Sequence, residues 1–132
     1  MTSSILALQR ATHRTLGALK DALADLQLTA SETNALANLA DGRPRSVREL
    51  TEDTGTKGTT LTGVLDRLER RGYLARELDP ADRRSFRLRL TPSGETVASR
   101  IATTVTELET AALKGLSKAQ IEGFHAVLEA LS

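Results

Sequence analysis

Apolar side chains recur along this chain first at helical spacing, then briefly at alternate positions, then at helical spacing again. Ile5, Leu8, Leu16, Leu19, Leu23 and Leu26 predict a long first helix over about 4–26. Thr29-Ala30-Ser31-Glu32 has the form of a capping box, in which the Thr hydroxyl and the Glu carboxylate accept from each other's backbone N–H. The helix it opens is expected to reach Ala40, with Gly42 and Pro44 stopping it. Ser46-Val47-Arg48-Glu49 repeats the pattern and starts a short helix ending near Asp53. Gly55 breaks the chain and Thr56 is placed to cap the next helix. Leu61, Val64, Leu65 and Leu68 form the buried stripe of that helix up to Gly72. Two helices joined by a short Gly-containing turn make a helix-turn-helix pattern.

Beyond Gly72 the period changes. Phe86, Leu88 and Leu90 alternate with Arg87 and Arg89, as in a strand with one covered face. Its expected partner, Tyr73–Leu78, alternates poorly, because Arg76 shares parity with Leu74 and Leu78. Residues 79–84 read as the connecting loop. Thr91-Pro92 is a helix start, and Val97, Ile101, Val105, Leu108 and Ala112 line the long helix that follows. Ser117 to Gln120 is a third capping box, opening a last helix through Ile121, Phe124, Leu128 and Leu131. The expected fold class is mainly α with a small β-hairpin wing. A winged helix-turn-helix lobe spans 28–91, flanked by terminal helices over 4–26 and 93–131 within a single domain, 1–132. The apolar faces of those terminal helices are too wide for a small lobe to cover. Pairing with the same elements of a second chain covers them; a closed intramolecular bundle is the alternative.

The 132 residues carry a net charge of +1, which says little about partners, but its distribution says more. Residues 41–91 hold twelve Lys/Arg against nine Asp/Glu, whereas 1–40 balance and 92–132 are net acidic. A basic middle between neutral and acidic ends suits a nucleic-acid face on a scaffold. With three aromatic residues, stacking of single-stranded bases is poorly provided for. There is no Cys, so neither disulfides nor thiolate chemistry enter. No signal segment or membrane-length apolar run is seen, and a cytoplasmic chain with no membrane partner is expected.

The helix beginning at Lys57 turns Thr59, Thr62, Gly63, Asp66, Arg67 and Arg70 away from its apolar stripe. Small hydroxyl residues let a helix sit deep in a major groove, bond base edges and place a methyl against thymine. Thr and Gly are poor helix formers, so a purely structural surface helix has little reason to collect them. Lys57 and the open N–H groups of the helix start suit a phosphate. Arg83 and Arg84 at the hairpin tip suit a narrow minor groove, with Asp82 orienting an Arg beside them. Arg87, Arg89 and the Arg43/Arg45 pair lean toward backbone contacts, with Ser46 beside them. Asp66 is spaced to pair with Arg70, and Asp21 and Asp25 read as solvated helix positions. The two His residues, His13 and His125, sit in no nucleophile or metal motif, and no cofactor or enzyme activity is expected.

TLTGVLDRLERRGYL (60–74), DPADRRSFRLRLTPSGE (79–95) and LTASETNALANLA (28–40) resemble the MarR family of bacterial transcriptional regulators. The Asp82-x-Arg84 of the wing, followed by Leu90-Thr91 and Gly94, is the most specific element, and helix order extends the resemblance over essentially the whole chain. It implies a winged helix-turn-helix homodimer that binds palindromic duplex DNA, usually as a repressor released by a small ligand. Carried over residue by residue, the resemblance makes the helix from Lys57 the recognition helix, with Thr59, Thr60 and Thr62 near bases, and Arg84 the minor-groove arginine of the wing. The reading of the residues themselves adds Gly63 and Arg67 on that helix and Arg83 and Arg87 on the wing. Arg45 and Ser46 fall near the DNA backbone, and Asp82 anchors the wing. The implied effector is a small aromatic or other organic molecule, held between the dimerisation helices and the lobe by residues the sequence does not name. A winged-helix protein–protein adaptor without DNA binding is the alternative function.

Overall fold

The computed structural model describes residues 3–132. Six α-helices and three strands follow in the order α1 (Ser4–Ala22), α2 (Ala30–Asn38), β1 (Arg45–Ser46), α3 (Val47–Thr54), α4 (Gly58–Arg70), β2 (Leu74–Asp79), β3 (Asp82–Leu90), α5 (Pro92–Leu113) and α6 (Lys118–Leu131). This is the expected winged helix-turn-helix with long terminal helices. All three capping boxes form, with Thr29, Ser46 and Ser117 accepting from the third helical N–H and Glu32, Glu49 and Gln120 accepting from the cap.

Four expectations need correction. The first helix ends at Ala22 rather than 26, and Ala24–Leu26 tighten into a single 3-10 turn that closes on Gln27 in the left-handed region. Lys57, not Thr56, is the N-cap of α4, and no side chain caps it. The expected loop 79–84 is mostly strand, because β2 and β3 run to Asp79 and from Asp82, leaving a tight turn. The sheet also has a third strand: β1 pairs antiparallel with β3, Arg45 opposite Leu88 and Ser46 opposite Arg87, giving the order β1-β3-β2.

The core lies under α2, α3, α4 and the base of the wing. Leu36, Leu39, Leu50, Leu61, Val64, Leu65, Leu68 and Leu88 are fully buried, joined by Leu23, Leu74, Leu90, Ala98 and Ile101. On the inner wing face Leu74 opposes Leu90, Arg76 opposes Leu88 and Leu78 opposes Phe86. Parity therefore put Arg76 on the covered side, where it reaches across to Asp66 at 2.7 Å and Glu69 at 3.0 Å on α4. Asp66 serves Arg76 rather than Arg70, whose Nε donates instead to the Asp66 carbonyl. The hairpin runs on past the core, leaving Leu78 and Phe86 exposed although they share the inner face.

The end of α4 is a Schellman turn, with Gly72 at φ 77° and Tyr73 N–H donating to the Leu68 carbonyl. The start of α5 docks on this turn. Thr91 and Ser93 hydroxyls donate to the Gly72 carbonyl, and a Cβ at Gly94 would lie 2.0 Å from the Tyr73 carbonyl oxygen. Only glycine fits that approach, which gives a steric reason for the Leu90-Thr91…Gly94 string. No helix among the described residues is long and apolar enough to cross a membrane.

Candidate nucleic-acid interface

The helix-turn-helix presents α4 with its apolar stripe inward and Lys57, Thr59, Thr60, Thr62 and Arg67 exposed on the outer side. Absence of a side-chain cap leaves the first-turn N–H groups of α4 open, at the positive end of the helix dipole. Thr62 donates its hydroxyl proton to the Gly58 carbonyl at 3.0 Å. Its oxygen is thereby left as an acceptor, which suits a base amino group rather than a base carbonyl. A methyl added at Gly63 would make an ordinary 3.5 Å contact with the Arg67 guanidinium, so the fold itself does not require glycine there.

Sorting the cations of the lobe by partner separates its surface into two kinds. Arg43 and Arg45 both bind Asp41, and Arg45 also reaches Asp53 at 3.2 Å and the Arg43 carbonyl at 2.6 Å. Only 11% of the Arg45 side chain is exposed. The guanidinium holds the Asp41 carboxyl far below the usual carboxylate range, and Asp41 in turn raises the Arg45 pKa. Arg45 is thus an internal clip joining β1 to both ends of its neighbourhood, not the free surface cation expected of a backbone contact. Ser46 accepts the Glu49 N–H with its hydroxyl oxygen at the α3 cap, which leaves its O–H proton available to donate. Arg48 pairs with Glu52, Arg76 with Asp66 and Glu69, and Arg89 with Glu77. Arg67 lies 4.0 Å from buried Glu32, and Arg87 lies 3.9 Å from Asp79, so both are partly neutralised. Arg71 and Arg70 donate to backbone carbonyls.

What remains is short. Among the described residues of the lobe, Lys57, Arg83 and Arg84 are the cations whose side chains have no carboxylate or hydrogen-bond partner. Lys57 stands at the open end of α4 and the two Arg at the wing tip, all exposed. Asp82 does organise this tip, but through the backbone: its carboxylate accepts from Arg84 N–H at 3.0 Å and from the Ser85 hydroxyl at 3.2 Å. It shapes the turn and leaves the Arg84 guanidinium unbound. Sequence spacing could place these residues but not sort them, because one carboxylate such as Asp41 has several arginines within reach, and Glu32, Asp66 and Glu77 meet theirs only across elements.

A separate crevice of about 510 Å³ opens between α1, α2 and α5. Leu16, Leu19, Leu23 and Val105 give it apolar walls, and Lys20 and Thr33 bring polar groups to it. The family resemblance pointed to a crevice between the terminal helices and the lobe but not to its residues, since Val105 of α5 joins the α1 and α2 walls only through the fold.

Residues 24–85 match a family model described as MarR family. The transcriptional repressor NicR of Pseudomonas putida is 33% identical over 87 residues, which are 66% of this chain and 55% of that protein. The match thus spans little more than half of that relative's length. Among solved structures, BpsR of Bordetella bronchiseptica, whose DNA binding is regulated by 6-hydroxynicotinic acid, superimposes with a TM-score of 0.82 at 27% identity, covering 98% of this chain and 92% of that one. A MarR family regulator from Listeria monocytogenes in complex with a 26mer DNA gives a TM-score of 0.89, covering 99% and 87%. At 16% identity that likeness speaks for the fold alone.

Proposed function

The chain belongs to the MarR family of transcriptional regulators, and on that premise we propose that it is a sequence-specific repressor binding duplex DNA as a homodimer. One observation carries the reading. The cations left without partners are those that a recognition helix and a wing tip need free, while most other lobe arginines are neutralised within the chain. In this assignment α4 lies in the major groove with Thr59, Thr60 and Thr62 near base edges, and Lys57 and the open helix start hold a phosphate. Arg84, with Arg83 beside it, enters the adjacent minor groove. Arg67 and Arg87, each near one carboxylate, contribute less, and Arg45 supports β1 rather than DNA.

The dimer rests on exposed apolar side chains. Ile5, Leu6, Leu16, Val105, Leu116, Phe124, Val127 and Leu131 are all exposed, and neither α1 nor α6 buries any residue. A twofold pair then sets two copies of α4 about one duplex turn apart, roughly 34–36 Å, over a near-palindromic operator. The crevice between α1, α2 and α5 is the place for an effector. Its apolar walls and Lys20 suit a small aromatic carboxylate, the class of ligand that regulates BpsR. A ligand there would act by binding one spacing of the two recognition helices better than the other.

Selection from random duplexes at low salt, followed by salt titration of the enriched site, tests the reading. Affinity is expected to fall linearly in log[salt], with a slope near −0.9 per phosphate neutralised. Arg84→Ala is expected to weaken the enriched site about tenfold without changing dimerisation or melting. Failure to enrich any sequence at low salt would overturn the DNA-binding assignment and favour a protein-docking role for α4.

A further inference from the structure

The link between α1 and the winged lobe is gripped from two sides. It begins at Leu23, which is buried, and turns through Ala24–Leu26 to Gln27 at φ 52°. Gln27 is the one non-glycine residue with positive φ among those described, a conformation that is unfavourable for an L-residue. Such a conformation persists where surroundings hold it, and here the holding group is identifiable. Arg71, at the C-cap of α4, donates to the Leu26 carbonyl at 2.9 Å and the Gln27 carbonyl at 2.7 Å, the two carbonyls on either side of the Gln27 φ and ψ rotations. Its guanidinium also lies 5.2 Å from the centre of the Tyr73 ring, on the turn where α5 docks. From the other side Arg100 of α5 makes a two-pronged pair with Asp25, one prong at 2.6 Å. Neither arginine takes part in the free-cation set assigned to DNA.

The grip matters because α1 has little else to orient it. None of its residues from Ser4 to Ala22 is buried, so within one chain its direction relative to the lobe depends on Leu19 and Leu23, on its packing along α5, and on the link itself. We infer that Arg71, with the Asp25–Arg100 pair, is a positioning device that fixes the angle between the recognition helix and α1, and so the spacing at which two recognition helices meet DNA. A planar guanidinium is suited to this, since it can hold two carbonyls at once in fixed geometry where an ammonium cannot. The spacing part of the inference rests on the proposed DNA-binding dimer; the angular part does not.

The absence of Cys allows one experiment to read the two parts separately. Spin labels are attached through cysteines replacing Arg14 on α1 and Arg70 on α4, and the labelled protein is mixed with excess unlabelled chain so that only distances within one chain are read. The otherwise wild-type chain is expected to give one narrow distance, and Arg71→Ala and Asp25→Asn to broaden it about twofold and less, respectively. The unlabelled proteins are then tested on the selected operator with two base pairs inserted between half-sites, a rotation of about 70°. The insertion is expected to cost wild type about tenfold in affinity and the Arg71→Ala dimer only a few-fold. Arg71→Lys is expected to behave as the alanine variant, whereas a merely stabilising role would be rescued by it. An unchanged distance distribution in folded Arg71→Ala overturns the inference; if that variant fails to fold, an unchanged distribution in Asp25→Asn does so. A broadened distribution with wild-type spacing preference overturns the spacing part. Absence of DNA binding by wild type would sink the DNA reading alone, with the label distances still deciding whether the grip exists.

Discussion

The winged lobe and the terminal helices treat their apolar side chains in opposite ways. Residues 28–91 close over leucines that water does not reach, whereas α1 and α6 leave Ile5, Leu6, Leu16, Phe124, Val127 and Leu131 exposed. Helix α5 shows the boundary within one element: Gly94, Ala98 and Ile101 are buried against the lobe, and Val105 beyond them is exposed. The lobe, with Leu23, Ala98 and Ile101 contributed from its flanks, closes a core of its own, while the terminal helices leave apolar faces that the proposed second chain would cover.

That contrast breaks most sharply in the lobe. Leu36→Ala removes a side chain at 0% exposure and is expected to cost about 2–5 kcal/mol of unfolding free energy, at every protein concentration. Urea denaturation at two concentrations checks it; a loss that shrank as protein was added would blur the division. Phe124→Asp attacks the other region. It is expected to weaken the proposed dimer about 100-fold, or roughly 2.7 kcal/mol, while the monomer keeps the helical spectrum and the lobe melts as before. Sedimentation at graded concentrations reads it, and an unchanged equilibrium would move the interface off α6.

Acid and salt separate the two regions more gently. Asp41 in the lobe and Asp25 on the link both have folded pKa values lowered by their arginine partners, Arg45 and Arg100. A lowered folded pKa means that the stabilisation is complete above the unfolded value, roughly pH 4, and is lost as pH falls through the folded value. Stability is therefore expected to be insensitive to these two groups from pH 5 to 8. Asp41→Asn should lessen the acid dependence below about pH 4. The Asp25 pair is the more exposed, so added salt should remove its contribution first, while the largely covered Arg45 keeps its clip. Equal salt sensitivity of the two would contradict this ranking. The smallest effect is expected from Thr62→Val, which removes the bond to the Gly58 carbonyl and the acceptor while keeping the branched shape. Operator selection should shift preference at one base position by roughly 1 kcal/mol, with little change in melting temperature.

The local elements were legible because their causes are local. Thr29/Glu32, Ser46/Glu49 and Ser117/Gln120 each lie three residues apart, and each closed its box where spacing placed it. Some departures were local, at the end of α1, the cap of α4 and the turn between β2 and β3, while others came from partners outside the segment. β1 is two residues long and exists because β3, some forty positions away, pairs with it. Arg76 spoiled the alternation of its strand because Asp66 and Glu69 of α4 stood opposite the inner face. Asp25, read as solvated, met Arg100 across 75 positions. Arg45 looked like a surface cation until Asp41 and Asp53 closed on it.

Periodicity, capping residues and glycine positions, acting over one or two turns of backbone, determined the helices and the β2–β3 hairpin, and with them the winged helix-turn-helix order and its Thr-rich helix. Which arginines remain free, how α1 is angled on the lobe, and where the crevice opens were decided only by tertiary structure. Charge neutralisation and cavity walls depend on atoms brought within a few ångströms by the fold, and no spacing along the chain encodes that distance.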